Sequence, residues 1–248
     1  MDTNEPLQPS DLGTKEYWDE LYTRESHNHA ENEDDEGTIW FSESNAERVV
    51  TRTLAKLADH GFLSREGERA SRFLDLGTGN GHMLFSLRED DDEDEGPWMG
   101  EMVGVDYSQT GIELARRIAD TSTTGEALRF ETWDLLTQDP GDWFQDGFDV
   151  VLDKGTFDAI SLAQHDDGSS HPCEVYRDRV ERLVRPGQFL LITSCNWTRD
   201  ELVRWLAPDG SGELAFYDEA KYPTFMFGGK AGQSVVTVVF RRRAADPK

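Results

Sequence analysis

The sequence predicts an α/β domain: an open, mostly parallel sheet with helices on both faces and an antiparallel hairpin at its C-terminal edge. Three observations predict it. Short apolar runs alternate along the chain with stretches whose apolar residues recur at helical spacing, the order of a βαβ fold. The first run, Arg72-Phe73-Leu74, leads directly into Asp75-Leu76-Gly77-Thr78-Gly79-Asn80-Gly81, which reads as the end of a buried strand, a glycine turn and the start of a helix. Acidic residues stand at the ends of four successive strands, Asp75, Asp106, Asp134 and Asp153, and in an open parallel sheet such ends share one crevice.

The 248 residues suffice for one large domain with a substantial core. Against 25 basic residues there are 50 acidic ones, and the formal net charge of -25 repels phosphate backbones. No nucleic-acid substrate is expected, whereas a basic protein partner would be drawn in. Cys173 and Cys195 are the only cysteines, too few for a disulfide framework. The start, Met1-Asp2-Thr3-Asn4-Glu5-Pro6, has neither the basic end nor the apolar core of an export signal, which points to a reduced, cytoplasmic compartment. No apolar run approaches the roughly 20 residues that span a bilayer, so a soluble, monomeric protein without membrane contact is expected.

Residues 1–12 are polar, with Pro6 and Pro9, and read as a disordered leader. Residues 13–61 read as a helical and lid segment. Tyr17, Trp18, Leu21 and Tyr22 share one helical face, an acidic loop at 31–36 is solvated, and residues 46–60 form an amphipathic helix closed by Gly61. Between them, Trp40 and Phe41 either pin the leader to the core or cover a ligand pocket. The main domain spans 62–243. Its first helix, carrying Met83, Leu84 and Leu87, runs into an acidic insert at 89–96 that cannot pack and should lie away from the crevice. Strand 101–105 ends at Asp106 and Tyr107, and Asp106 suits a ribose diol or, with Ser108, caps the next helix. Strand 128–132 is followed by Asp134 and Leu135, which could meet an adenine amine and ring, unless Asp134 is a turn carboxylate. Strand 147–153 is apolar enough for burial on both faces and leads into a loop at 154–160. Helix 174–184, strand 188–193 and a helix opened by the capping box Thr198 and Glu201 follow. Runs 213–217 and 234–240 read as the edge hairpin, and 244–248 as a tail.

Gly77, Gly79 and Gly81 allow positive φ and close approach of a ligand. Their spacing departs from the dinucleotide fingerprint, because His82 stands where the last glycine belongs, so a nicotinamide cofactor is disfavoured. Asp75 can meet an ammonium group, which S-adenosylmethionine has and a pyrophosphate lacks; the alternative is a tight turn with no ligand. His27 and His29 are two apart with no cysteine cluster nearby, and no metal is expected. Cys195 has no neighbouring histidine to activate it and reads as packed.

The glycine turn with the four aspartates, in strand and helix order closed by a hairpin, resembles the class I S-adenosylmethionine-dependent methyltransferases from Phe73 to Phe240. The resemblance implies a Rossmann-like, seven-stranded, mostly parallel sheet. It implies that Asp75, Gly77, Thr78, Gly79, Asn80 and Gly81 hold the methionine part, Asp106 and Tyr107 the ribose side, and Asp134 with Leu135 the adenine. Asp153-Lys154-Gly155-Thr156 stands where members that methylate an amide or exocyclic amine often carry Asn-Pro-Pro-Tyr. The run from Asp153 to Leu162, with Gly13 to Trp18, Trp40-Phe41, Ile192 to Thr198 and Phe227 to Val235, resembles the eukaryotic lysine methyltransferases of translation elongation factor 1-alpha. That implies a protein-lysine N-methyltransferase converting S-adenosyl-L-methionine to S-adenosyl-L-homocysteine by in-line displacement, where catalysis is mainly positioning. In this reading Asp153 first receives the lysine ammonium, and Phe157, Trp197 and Trp40 form an apolar channel that lowers the amine's pKa. Asp153 can instead be a cofactor contact or strand-end cap. A small-molecule methyltransferase and a catalytically silent binding module remain as rival functions.

Overall fold

A computed structural model describes residues 6–89, 96–122, 125–165, 170–208, 212–222, 225–227, 230–232 and 234–244. Parts of the expected leader (1–5), acidic insert (90–95), glycine-rich segment (228–229 and 233) and tail (245–248) lie outside the described residues. The helices are α1 (Lys15–Glu31), α2 (Ala46–Asp59), α3 (His82–Glu89), α4 (Gln109–Thr121), α5 (Thr156–Ser161), α6 (Pro172–Leu183) and α7 (Arg199–Leu206). The strands are β1 (Phe73–Leu76), β2 (Met102–Asp106), β3 (Leu128–Thr132), β4 (Phe148–Lys154), β5 (Val184–Ser194), β6 (Leu214–Glu219), β7 (Phe225–Phe227), β8 (Lys230–Gly232) and β9 (Val236–Arg242).

The main sheet has seven strands in the order β3-β2-β1-β4-β5-β9-β6. Strands β3 to β5 pair in parallel, whereas β9 runs antiparallel to both β5 and β6. The strands alternate between two apolar cores, one on each face, because successive side chains point to opposite sides, except at the irregularity between Phe148 and Val150. Phe73, Val150, Leu152, Phe189 and Val239 enter the core shared with Leu54 of α2, Leu84 of α3 and Ile112 of α4. Leu74, Val151, Leu190, Ile192 and Phe240 enter the other, with Phe157 of α5, Tyr176 of α6 and Leu202 of α7. Helices therefore cover both faces, as a parallel sheet demands. Among the described residues no helix is long and apolar enough to cross a membrane.

Three local features differ from the sequence reading. The segment after β4 is not all loop: Gly155 sits at φ 94° and Thr156 opens α5, with the Asp153 carboxylate receiving its first N–H groups. Helix α1 runs nine residues past Tyr22 to Glu31, burying Glu25 and His29. Those polar residues gave no apolar signal, yet Glu25 accepts from the Thr38 amide (2.9 Å) and the His29 ring meets the Asp35 carbonyl (3.0 Å). Strands β6 and β9 pair at the sheet edge as expected, but the chain between them forms the small β7–β8 ribbon rather than a direct turn.

The order of strands sets the site. Strand β1 has β2 on one side and β4 on the other, so the connections leaving their carboxyl ends diverge and open a crevice between them.

Candidate active site

The turn after β1 is held by its neighbours. Gly77 has φ 62°, and a Cβ there would lie 2.0 Å from Thr156 Oγ1, whose hydroxyl donates to the Leu76 carbonyl (2.7 Å). Gly79 has φ 56°, and a Cβ there would lie 2.6 Å from the Tyr22 hydroxyl. Both positions require glycine for backbone and packing reasons before any ligand is considered. The Gly79 amide donates to Asp106 Oδ2 (3.0 Å), which ties the turn to the tip of β2.

Asp106 serves two ends. Its Oδ1 accepts from the Ser108 amide (2.8 Å), while the Ser108 hydroxyl accepts from Gly111 at the start of α4, so Ser108, not Asp106, is the helix cap. Each Asp106 oxygen keeps a lone pair, and the residue lines the crevice. Burial pushes its carboxyl up to about 6 against the two amide hydrogen bonds that favour ionisation. Asp75 is buried behind the turn, accepting from Thr78 Oγ1 (2.7 Å), and burial raises it to about 7, with Lys154 opposing and Glu47 and Asp106 reinforcing the rise.

The crevice encloses about 200 Å³ and is walled by Trp18, Tyr22, Trp40, Phe41, Tyr107 and Trp133. Tyr107 donates its hydroxyl to the Thr14 carbonyl (3.3 Å), which brings the start of α1 onto the rim. Asp134 and Leu135 line the β3 end, where the Asp134 carboxylate also accepts from the Leu136 amide (2.8 Å) and Thr137 hydroxyl (2.6 Å). Asp134 is thus the turn carboxylate, and it stands on the crevice wall as well. Trp40 and Phe41 belong to a strap over the opening. Lys154 Nζ donates to the Trp40 carbonyl (3.1 Å) and pairs with Glu47 (3.4 Å); Asn80 donates to the Glu36 carbonyl (2.8 Å); Glu47 also meets the His82 ring (2.8 Å). The acidic segment near Glu36 is therefore fastened to the glycine turn instead of standing free in water.

Several expected site residues do not reach the crevice. Asp153, 1% exposed, spends both oxygens inside the protein: Oδ1 accepts from the Thr156 and Phe157 amides, and Oδ2 from the Phe157 amide and the Tyr176 hydroxyl (2.6 Å). It is a cap and anchor with no lone pair left for an ammonium. Phe157 stacks near Tyr176 (4.9 Å) in the core on the α6 side, and Trp197 donates to Ser161 Oγ (3.2 Å) there, so neither walls a channel. The physical reason is register: α5 begins immediately after β4, which turns Phe157 inward. Thr78, Asn80 and Gly81 shape the turn from behind its cavity-facing residue, Gly77. Cys195, read as packed, is exposed and lines the crevice beside Asn196. Sequence reasoning missed Lys154 and Asp158, although both lie within the motif that it singled out.

With this geometry in place, likeness to known proteins decides the family. Residues 68–228 match the family model described as a methyltransferase domain. The chain is 41% identical over 235 residues to protein-lysine N-methyltransferase EFM4 of Saccharomyces cerevisiae, covering 94% of this chain and 96% of that protein. The chain belongs to the EFM4 family of protein-lysine N-methyltransferases. Another member, EEF1A lysine methyltransferase 2 of Homo sapiens, is 34% identical, with 94% of this chain and 88% of that protein covered. The fold agrees with solved methyltransferase-like structures. The N-methyltransferase NodS of Bradyrhizobium japonicum, in complex with S-adenosyl-l-homocysteine, aligns at TM-score 0.55 and 14% identity over 91% of this chain and 98% of that one. The [4+2]-cyclase SpnF aligns at TM-score 0.61 and 14% identity over 98% and 100%.

The cofactor of this EFM4-family enzyme is S-adenosylmethionine, and the residues present fit it. Asp75 and Asp106 are desolvated carboxylates at the glycine turn, costly to ionise without a cation, and S-adenosylmethionine brings an ammonium and a sulfonium. The aromatic walls suit its apolar and ring surfaces.

Proposed function

We propose that the chain methylates a lysine of translation elongation factor 1-alpha in the cytoplasm, acting as a monomer on a protein, with no nucleic acid, membrane or metal involved. The observation that carries this reading is the near-complete coverage of relatives named protein-lysine N-methyltransferase, at up to 41% identity, and of relatives named for lysine methylation of EEF1A, at up to 35%. The crevice lining at Gly77, Asp106, Tyr107, Asp134, Leu135 and Trp40 supports the following residue roles. Gly77, backed by the turn 78–81 and Asp75, would hold the amino-acid end of the cofactor; Asp106, with Tyr107, the ribose; Asp134 and Leu135 the adenine; and Trp40 the cover. Bound S-adenosylmethionine supplies a methyl group activated by its sulfonium.

What the protein adds is orientation and exclusion of water. The strap carrying Trp40 and Phe41 excludes solvent from the opening, and a desolvated amine loses its proton more readily. Incubation with labelled S-adenosylmethionine and purified elongation factor, followed by mass spectrometry, tests the reading. Label on one lysine of the factor is expected. Label found only in small molecules of a cell extract would overturn it.

A further inference from the structure

Three carboxylates line the crevice, and they are spread along the strand order: Asp134 after β3, Asp106 at the tip of β2, and Asp158 in α5, after β4. The first two lie on the β2–β3 side of β1. Asp158 stands on the opposite side, with Cys195 and Asn196 of the β5 end. We propose that Asp158 is the catalytic residue that receives the ammonium of the target lysine and aims the amine, the role that Asp153 cannot fill. This inference rests on the lysine-methyltransferase reading of the same site.

The geometry supports it on three counts. Asp158 is 6% exposed, yet it belongs to the crevice wall, so a cation reaching it leaves bulk water. Its two oxygens are oriented by the Ser194 hydroxyl to Oδ1 (2.5 Å) and the Cys195 amide to Oδ2 (2.8 Å), with the Cys195 thiol and the Asn196 amide also turned toward the carboxylate. Unlike Asp153, the carboxylate stands in the crevice wall, where a substrate ammonium can meet it directly and replace the weak thiol donor of Cys195. Burial raises the Asp158 carboxyl above its usual range, and an arriving ammonium would lower it again by favouring the ionised form. Of the other charged groups on the wall, Lys154 is committed to Glu47 and the Trp40 carbonyl, and Asp106 and Asp134 are given to the cofactor in the proposed reading. The Ser194 and Cys195 donors also stiffen the carboxylate, so an amine held by it loses rotational freedom before attack.

The test is a double-mutant cycle on the full-length enzyme. The modified lysine is first located by mass spectrometry in the wild-type reaction; if no lysine is labelled, the function reading fails before Asp158 is at issue. Asp158→Asn keeps the side-chain shape, and its amide oxygen can still accept from one of the two donors, Ser194 or Cys195. It should leave S-adenosylmethionine affinity within about twofold while cutting kcat/KM for the elongation factor by about 100-fold, the scale of losing a desolvated charge partner. Replacing the target lysine by methionine should weaken binding to wild-type enzyme about tenfold or more and binding to Asp158→Asn by less than about threefold. A loss of turnover below about tenfold, a parallel loss of cofactor affinity, or an equal methionine effect on both enzymes overturns the proposal. Should Asp158→Asn fail to fold, Asp158→Glu, which keeps the charge, replaces it in the same cycle: it must retain the methionine penalty, and its absence overturns the assignment.

Discussion

At the scale of single residues, burial separates the carboxylates into different tasks. Asp75 and Asp106 have folded-state pKa values raised to about 7 and about 6 from 3.8. Their contribution to stability is therefore fully present below pH 3.8 and is lost as pH rises through those values, when two unpaired charges form in an apolar setting. A cationic cofactor reverses this preference. Its affinity should fall about tenfold or more between about pH 7.5 and about pH 5.5, as protons compete for Asp75 and Asp106. Calorimetry across that interval checks it, and an affinity indifferent to pH would rule the two acids out as the cation's partners. Asp153 is a structural contrast. Asp153→Ala strands the Tyr176 hydroxyl and the first amides of α5, and should cost about 3 kcal/mol in urea unfolding with cofactor affinity little changed. Normal stability with lost turnover would return Asp153 to the chemistry.

At the scale of elements, the strap is the part whose behaviour follows from few contacts. Lys154 alone joins the Trp40 carbonyl to Glu47, and Glu47 is held below its usual range by His82 and Lys154 despite its burial. Lys154→Met should leave that carboxylate short of a partner, weaken cofactor binding about three- to tenfold, and speed proteolytic cutting within 36–45. Unchanged proteolysis would mean that the aromatic contact of Trp18 with Trp40 (5.2 Å), with the Asn80 and Glu25 hydrogen bonds to residues 36 and 38, holds the strap without Lys154. Element boundaries were legible where the signal was local. Strand β3 begins and ends where its apolar and β-branched residues do, and α7 opens on the Thr198 and Glu201 capping box with both hydrogen bonds made. The far half of α1 and the six-residue α5 were not legible, because Glu25, His29 and Asp158 are stabilised by partners distant in sequence rather than by an apolar stripe.

At the scale of the whole molecule, the net charge of -25 acts on encounter. A basic partner is attracted over a Debye length of about 10 Å at 0.1 M salt, so kcat/KM for the protein substrate should fall several-fold between about 50 and about 300 mM salt. Cofactor affinity, set inside the crevice, should change less; stopped-flow association and calorimetry separate the two. A substrate rate unaffected by salt would show that the acidic surface plays no part in recruitment. The two cores meanwhile make the crevice rigid. The central parallel strands β1, β2, β4 and β5 are clamped on both faces, so the loops at their carboxyl ends start from fixed positions.

The sequence alone determined the class of fold, the place of the glycine turn and the run of acids along one edge of the sheet, since these depend on periodicity and on residues next to one another. It also carried the motifs that point to lysine methylation. Only the tertiary structure decided which acids face the crevice. Asp153 and Asp158 are five residues apart, and whether either side chain turns toward the ligand or the core depends on how α5 leaves β4 and on Tyr176 and Ser194, which arrive from elsewhere in the chain. Side-chain direction at a strand-to-helix junction is a property of packing, and no local pattern encodes it.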